Sequence, residues 1–197
     1  KMQHLSVWLV EASNYDLEVI LIHDIQDEAT SVELEEIVNS LKPNTARLLS
    51  GYWGNPGGAR NAGLETANGT MIAFWDADDL PNLSVVFDAL TEKKSSEIVI
   101  FDYEVENYLT KEKLQVKSRE DDPRFLGLNP GIWRMVFKRE FLTGITFPNI
   151  LLGEDQVLFA RVLARNPRIE YVNKSSYTYM VNFPGQITNS LEIRKKS

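Results

Sequence analysis

Three carboxylates, Asp76, Asp78 and Asp79, follow directly on the apolar run Met71, Ile72, Ala73, Phe74, Trp75. Apolar residues in unbroken succession suit a strand buried on both faces, which puts the acids at or just past its carboxyl end. In open α/β sheets ligands bind along that edge. Alternation around Ala77 would aim Asp76 and Asp78 the same way, ~7 Å apart along an extended backbone. Carboxylates so placed repel each other unless a positive charge lies beside them. Mg2+ or Mn2+ carrying substrate phosphates answers that demand, because such ions prefer oxygen ligands and seldom take a full cage of them from protein. The alternative is a strand that ends in a solvated acidic turn, with Asp79, Leu80 and Pro81 opening a helix.

Other residue sets could do chemistry. The loop SGYWGNPGGARNAG breaks regular structure with its glycines, and from Gly58 the segment ARNAGLETA reads as a helix opening on that loop. Exposed amides at such a start, with Arg60 close by, would hold anionic oxygens. Gly153, Glu154 and Asp155 open the later segment GEDQVLFARVLARNP, a helix with Val157, Leu158, Ala160, Val162 and Leu163 on its apolar side. Taken alone, that acid pair is either helix-stabilising or chemical.

The elements that must position these groups alternate in type. DLEVILIHD, residues 16–24, reads as a second buried strand ending in an acid, Asp24, and is expected to lie parallel to the first along one edge. TSVELEEIVNSL at 30–41 is an amphipathic helix with Thr30 or Ser31 as its N-cap. A short strand at 46–49 leads to the glycine loop. SVVFDALTEKK is a further helix, EIVIFDYEV at 97–105 a strand, and polar residues 106–125 a hairpin or a mobile loop. Order resumes at PGIWRMVFKREFL, and RIEYVNKSSYTYMV closes the chain as two strands or one bent strand. The expected architecture is a mixed α/β layer sandwich.

Composition narrows the chemistry. At 197 residues and 43% hydrophobic, the chain is one domain's length with enough bulk for a real core. A formal net charge of -7 argues against nucleic acid as a partner. With no cysteine and two histidines, disulfides, thiolate zinc sites, cysteine nucleophiles and His-rich metal sites are excluded, so catalysis must rest on carboxylates, hydroxyls, Lys or Arg. The absence of a run of about 20 apolar residues, and of a signal-peptide core in KMQHLSVWLV, leads to the expectation of a cytoplasmic protein. Peripheral association with the inner face of the cell membrane and homo-oligomerisation are both compatible with that.

Three blocks in order resemble the family 2 glycosyltransferases of GT-A fold: LEVILIHDIQDEAT, then NPGGARNAGLETANGTMIAFWDADDLP, then LLGEDQVLFARVLA with YTYMVNFPGQITNS. The resemblance implies a three-layer α/β/α Rossmann-like sandwich with a mixed sheet, a single catalytic domain over 1–197, and an inverting transfer from a nucleotide diphosphate sugar, UDP-sugar foremost. The acceptor would be a carbohydrate or a lipid-linked carbohydrate, as in polysaccharide biosynthesis.

By matching motifs, the resemblance implies Asp78 as metal ligand with Asp76 beside it, and Asp155, with Glu154, as the catalytic base. A helix start would tend to keep that base ionised. Asp24 matches a contact to the base or ribose of the donor, or else ends a strand while Asp27 caps the next helix; HDIQ lacks the family's glycine turn. Arg60 and Asn61 match the Ala-Arg-Asn motif, where Arg60 contacts the nucleotide or salt-bridges an acidic strand end. Trp133 falls where an aromatic floor lies beneath the acceptor, although a lone Trp also serves as core. Tyr177 and Tyr179 read as packing, and Gln186, Thr188 and Asn189 as part of a donor-covering loop. At the front, LSVWLVEASNYD looks like the tail of the family's first helix, so its first strand is expected to be missing and a central strand position open. A truncated, non-catalytic GT-A-like binding or assembly module is the alternative function. A sugar nucleotidyltransferase lacks its Gly-rich triphosphate loop here, and GNPGGARNAG does not fit a nicotinamide fingerprint.

Overall fold

A computed structural model describes residues 2–25, 28–92, 95–118 and 129–182. Helix α1 (Met2–Ala12) leads through strand β1 (Val19–Asp24) and helix α2 (Glu28–Ser40) to strand β2 (Ala46–Gly51). A helical crossover returns the chain in the same direction, and β1 and β2 pair in parallel from Val19 opposite Ala46 to Asp24 opposite Gly51. Helix α3 (Pro56–Thr66), strands β3 (Met71–Ala73) and β4 (Leu80–Pro81) and helix α4 (Leu83–Glu92) come next. Strands β5 (Ile98–Asn107), β6 (Lys113–Val116) and β7 (Met135–Lys138), helix α5 (Glu154–Leu163) and strand β8 (Ile169–Val181) complete the order.

The larger sheet runs β3-β7-β5-β8-β4, with β6 paired to the far half of β5. It is mixed, since β5 and β8 are parallel while β3 and β7, β5 and β7, and β4 and β8 are antiparallel. Successive residues of β5 point to opposite faces. Ile98 and Ile100 join Leu158, Phe159 and Val162 of α5 in one core, while Val99 and Phe101 join Val86 and Ala89 of α4 in another. Helices therefore cover both faces, and the unbroken apolar run of β5 follows from its double burial. Each such fully buried aliphatic side chain is worth ~1.5–3 kcal/mol.

Several expectations are corrected. The acid-tipped strands are not neighbours: β1 pairs only with β2, β3 pairs with β7, and no ladder joins β1 to β3 among the described residues. What spans the two sheets is side-chain packing, in which Leu5, Trp8 and Leu9 of α1 meet Val19 of β1 together with Trp75, Leu80 and Leu83. The β3 ladder stops at Ala73, where its β7 partner begins, and Asp79 N–H donates to the carbonyl of Asp76 at 3.2 Å, so the acids lie on a turn rather than an extended strand. Leu80 and Pro81 open no helix; they pair with Thr178 and Tyr177 of β8, and α4 starts after Asn82, whose Oδ1 accepts from Val85 N–H. Helix α2 begins at Glu28, so Thr30 and Ser31 are inside it rather than capping it, with Ser31 Oγ turned to His23 Nδ1. Of the expected hairpin or loop at 106–125, residues 113–116 pair back on β5 as a hairpin while 119–125 lie outside the described residues, and 169–181 form one strand whose register against β5 shifts around Asp102. Asp27, Gln186, Thr188 and Asn189 lie outside the described residues.

Candidate active site

Asn55 caps α3 by accepting from Gly58 N–H at 2.8 Å, and Pro56 suits the first turn, where its missing N–H costs nothing. At Gly57 a β-carbon would come within 2.6 Å of the carbonyl of Pro148, so only glycine lets this helix start approach the segment before α5 so closely. Asn61 fixes the same contact from one turn on: its Nδ2 donates to the carbonyl of Phe147 at 3.0 Å, and its Oδ1 accepts from Phe147 N–H at 2.8 Å. The Asn61 amide is thus engaged with backbone. The ring of Phe147 lies 5.7 Å from the Arg60 guanidinium, a cation–π contact that the Asn61 clamp sets.

Arg60 stands at the centre of the site. Its Nη2 donates to Asp76 Oδ1 at 2.9 Å, and its Nη1 donates to Glu154 Oε1 at 2.6 Å and Asp155 Oδ1 at 2.8 Å. One guanidinium from α3 therefore gathers carboxylates from the turn after β3 and from the first turn of α5. Burial would lower the Arg60 pKa, but Asp76, Asp155 and Glu154 outweigh it and raise the value, keeping the cation charged. Three carboxylates on one cation leave an excess of negative charge. Asp155 shows the cost: burial, opposed by Arg60 and reinforced by Glu154, pushes it up to about 7. A helix start was expected to hold it ionised, yet desolvation exceeds that surface effect. Gly153 precedes this pair at φ 83, the left-handed region that glycine adopts without strain. The Ile132 backbone N–H works against burial, favouring the charged form of Asp155, but does not outweigh it.

The acidic turn is tied down on its other side. Asp76 N–H donates to Tyr177 Oη at 3.0 Å, Tyr177 Oη donates to Asp79 Oδ2 at 2.8 Å, and Met180 N–H donates to Asp79 Oδ1 at 2.7 Å. Burial raises Asp79 to about 8. His4 Nδ1 of α1 lies 3.1 Å from the carbonyl oxygen of Asp78. Trp133 is 9% exposed and lies flat against Tyr177 and Tyr179, at 4.9 and 5.2 Å between centroids, with Tyr103 edge-on. The structure thus brings together Arg60, Asp76, Glu154 and Asp155, with Trp133 connected through Tyr177. Asp24 stands apart, its two oxygens accepting from Trp53 N–H at 2.8 Å and Gly54 N–H at 2.9 Å.

No group of three or more His, Asp or Glu side chains capable of holding a metal occurs among the described residues. The pair Asp76 and Asp78 still fits Mg2+ or Mn2+, since such ions are commonly held by one or two carboxylates with the remainder from phosphates and water. Asp76 uses one oxygen on Arg60 while its side chain stays 38% exposed. Tyr177 escaped sequence reasoning as a site residue, and Asp79, the third acid of the run, drew no role of its own: a Tyr alternating with Tyr179 reads as packing, and no local signal marks a partner about a hundred residues away.

Comparison with known proteins bears on the same elements. The family described as Glycosyl transferase family 2 matches residues 6–147. The uncharacterized glycosyltransferase EpsJ of Bacillus subtilis (strain 168) is 26% identical over 197 residues, covering 88% of this chain and 55% of that protein. The succinoglycan biosynthesis protein ExoO of Rhizobium meliloti (strain 1021) is 26% identical over 198 residues, covering 90% and 56%. The chain thus spans about half the length of these relatives. Among solved structures, S. aureus TarS 1-349 in complex with UDP-GlcNAc superposes with a TM-score of 0.71 at 19% identity, covering 94% of this chain and 57% of that one. The mannosyltransferase PcManGT of Pyrobaculum calidifontis, in complex with GDP-Man and Mn2+, gives 0.63 at 17%, covering 90% and 54%. These likenesses show a GT-A fold.

Proposed function

The chain belongs to glycosyl transferase family 2, and from that premise we propose that it is a single catalytic domain, residues 1–197, that moves a sugar from a nucleotide diphosphate donor to a carbohydrate or lipid-linked acceptor with inversion. The observation that carries this reading is the Arg60 cluster, in which one buried cation holds the candidate base Asp155 and the candidate metal-side acid Asp76 in a single frame. A UDP-sugar is the donor we favour, supported by the UDP-GlcNAc complex of TarS, and polysaccharide synthesis is the setting, supported by the name of ExoO.

Asp155 takes the proton of the acceptor hydroxyl as its oxygen attacks the anomeric carbon. The bond from that carbon to the diphosphate breaks on the opposite face, and its electron pair leaves with the nucleotide. A pKa of about 7 suits a base that must both accept and release a proton near neutral pH. Glu154, sharing Arg60 Nη1, balances the cation and orients Asp155. Asp76 and Asp78 would hold Mg2+ or Mn2+, whose charge would stabilise the departing diphosphate, consistent with the Mn2+ in the PcManGT complex. Asp24 serves the donor through the 53–54 backbone it holds, and Asn61 through the Phe147 clamp that seats Arg60. Trp133 forms the acceptor-side wall. Calorimetry with UDP and Mn2+ tests the donor half: saturable binding that needs both is expected, and its absence overturns the reading. Binding without transfer across a panel of donors and mixed acceptors would instead support a non-catalytic module.

A further inference from the structure

Tyr177 reaches two sides of the site at once. Its ring stacks on Trp133 at 4.9 Å and 20°, and its hydroxyl is inserted in the acidic turn, accepting from Asp76 N–H and donating to Asp79. Its side chain is buried, with 1% of the residue exposed, so the hydroxyl has a fixed place. Asp79, also 1% exposed, returns the connection to the same strand through Met180 N–H, three residues along β8. The ladder of Leu80 and Pro81 with Thr178 and Tyr177 then continues it. A buried carboxylate with both oxygens hydrogen-bonded carries no metal of its own; it holds the turn.

We propose that Tyr177, acting with Asp79, is a positioning residue of the transfer centre: it sets the Asp76–Asp78 carboxylates from the aromatic wall that carries Trp133. This rests on the reading of the site as a nucleotide-sugar transfer centre. Two anchors of the acidic turn bear on Asp76, Arg60 at its side chain and Tyr177 at its amide. The first sets charge and the second sets place. Because the same ring lies against Trp133, a shift of the acceptor wall moves the carboxylates with it.

Tyr177→Phe keeps the ring and removes the hydroxyl. With the full chain, UDP-sugar and Mn2+, the expected result is a fall in kcat of ~10- to 100-fold, the scale that sub-ångström to ångström misplacement produces. Donor KM at saturating Mn2+ changes far less, and the Mn2+ midpoint, read from the rate and, without turnover, from calorimetric binding of Mn2+ with UDP, rises. A merely structural loss lowers Tm and the active fraction but leaves the Mn2+ midpoint where it was. Asp79→Asn should reproduce the shifted midpoint, and the double variant should add little to either single change. Where Tyr177→Phe does not fold, Asp79→Asn alone decides by the same midpoint. Unchanged kcat and Mn2+ midpoint in folded variants overturn the positioning role. A wild type that neither binds UDP nor transfers overturns the underlying reading instead.

Discussion

Asp24 ends β1 and Asp76 lies on the turn after β3, each following an apolar run, and the two carboxylates meet different fates. Asp24 is consumed by backbone, one oxygen on Trp53 N–H and the other on Gly54 N–H. Asp76 instead joins Glu154 and Asp155 around the guanidinium of Arg60. A carboxylate satisfied by two amides shapes a loop and is chemically quiet. A carboxylate crowded with others on one cation is held at a cost, and that stored imbalance is what a cation or a proton can use. The residue type and its place after an apolar run are shared; the partner makes the difference.

The sharpest way to break this contrast is to remove the cation. Arg60→Leu removes the cation from Asp76 and from the largely buried Glu154 and Asp155, and a loss of about 3–5 kcal/mol is expected, the scale seen when one partner of a buried pair is deleted. Thermal unfolding of the variant checks it, and a Tm within 2 °C or so of wild type would contradict it, given ~2–4 °C per kcal/mol at this size. Arg60→Lys should recover only part of the loss, because a point charge does not reproduce a fork on two sides.

Proton uptake separates the two regions next. Asp155 in the folded chain titrates near about 7, above its ordinary value of 3.8. The native state therefore binds the proton more tightly than the unfolded state, and stability from this group is complete below about pH 4 and lost as pH rises towards 7. Activity runs the other way, rising through about 7 as the base is freed. The unfolding free energy of Asp155→Asn minus that of wild type should grow from pH 5 to pH 8, by at most ~1.4 kcal/mol per pH unit. A flat difference would remove the burial argument.

The smallest effect belongs to the quiet carboxylate. Asp24→Asn keeps one acceptor and loses a charge-assisted bond, for a cost of ~1–2 kcal/mol. Its kcat should stay near wild type while donor KM rises, since the 53–54 loop is loosened and the Arg60 cluster is not. A fall in kcat as large as that of a cluster variant would erase the distinction between the two aspartates.

Much of this frame was legible in the residues themselves. Helical periodicity marked α2 and α5 and an unbroken apolar run marked β5, because each is long enough for burial to impose its pattern. Arg60, Asp76 and Asp155 were each singled out as well. Arg60 reads from sequence as contacting the nucleotide or salt-bridging an acidic strand end, and its bond to Asp76 meets the second reading; that Glu154 and Asp155, 94 and 95 residues away, join the same guanidinium was not legible. The extent of β3 was misread because ladder length is set by its partner β7, not by the apolar run alone. The ionisation of Asp155 was misjudged for a similar reason: a helix start is a local feature, while desolvation comes from everything packed around it. Tyr177 shows the limit most clearly, as its alternation along β8 describes its ring and says nothing of its hydroxyl.

The central claim is that the carboxylates gathered on Arg60 form the transfer centre, with Asp155 as its base. Steady-state transfer by Asp155→Asn, measured beside wild type with the same UDP-sugar, Mn2+ and acceptor, tests it most directly. A kcat lower by ~10²- to 10⁴-fold is expected, with the donor KM little changed and the fold intact. Undiminished kcat in the folded variant would contradict it.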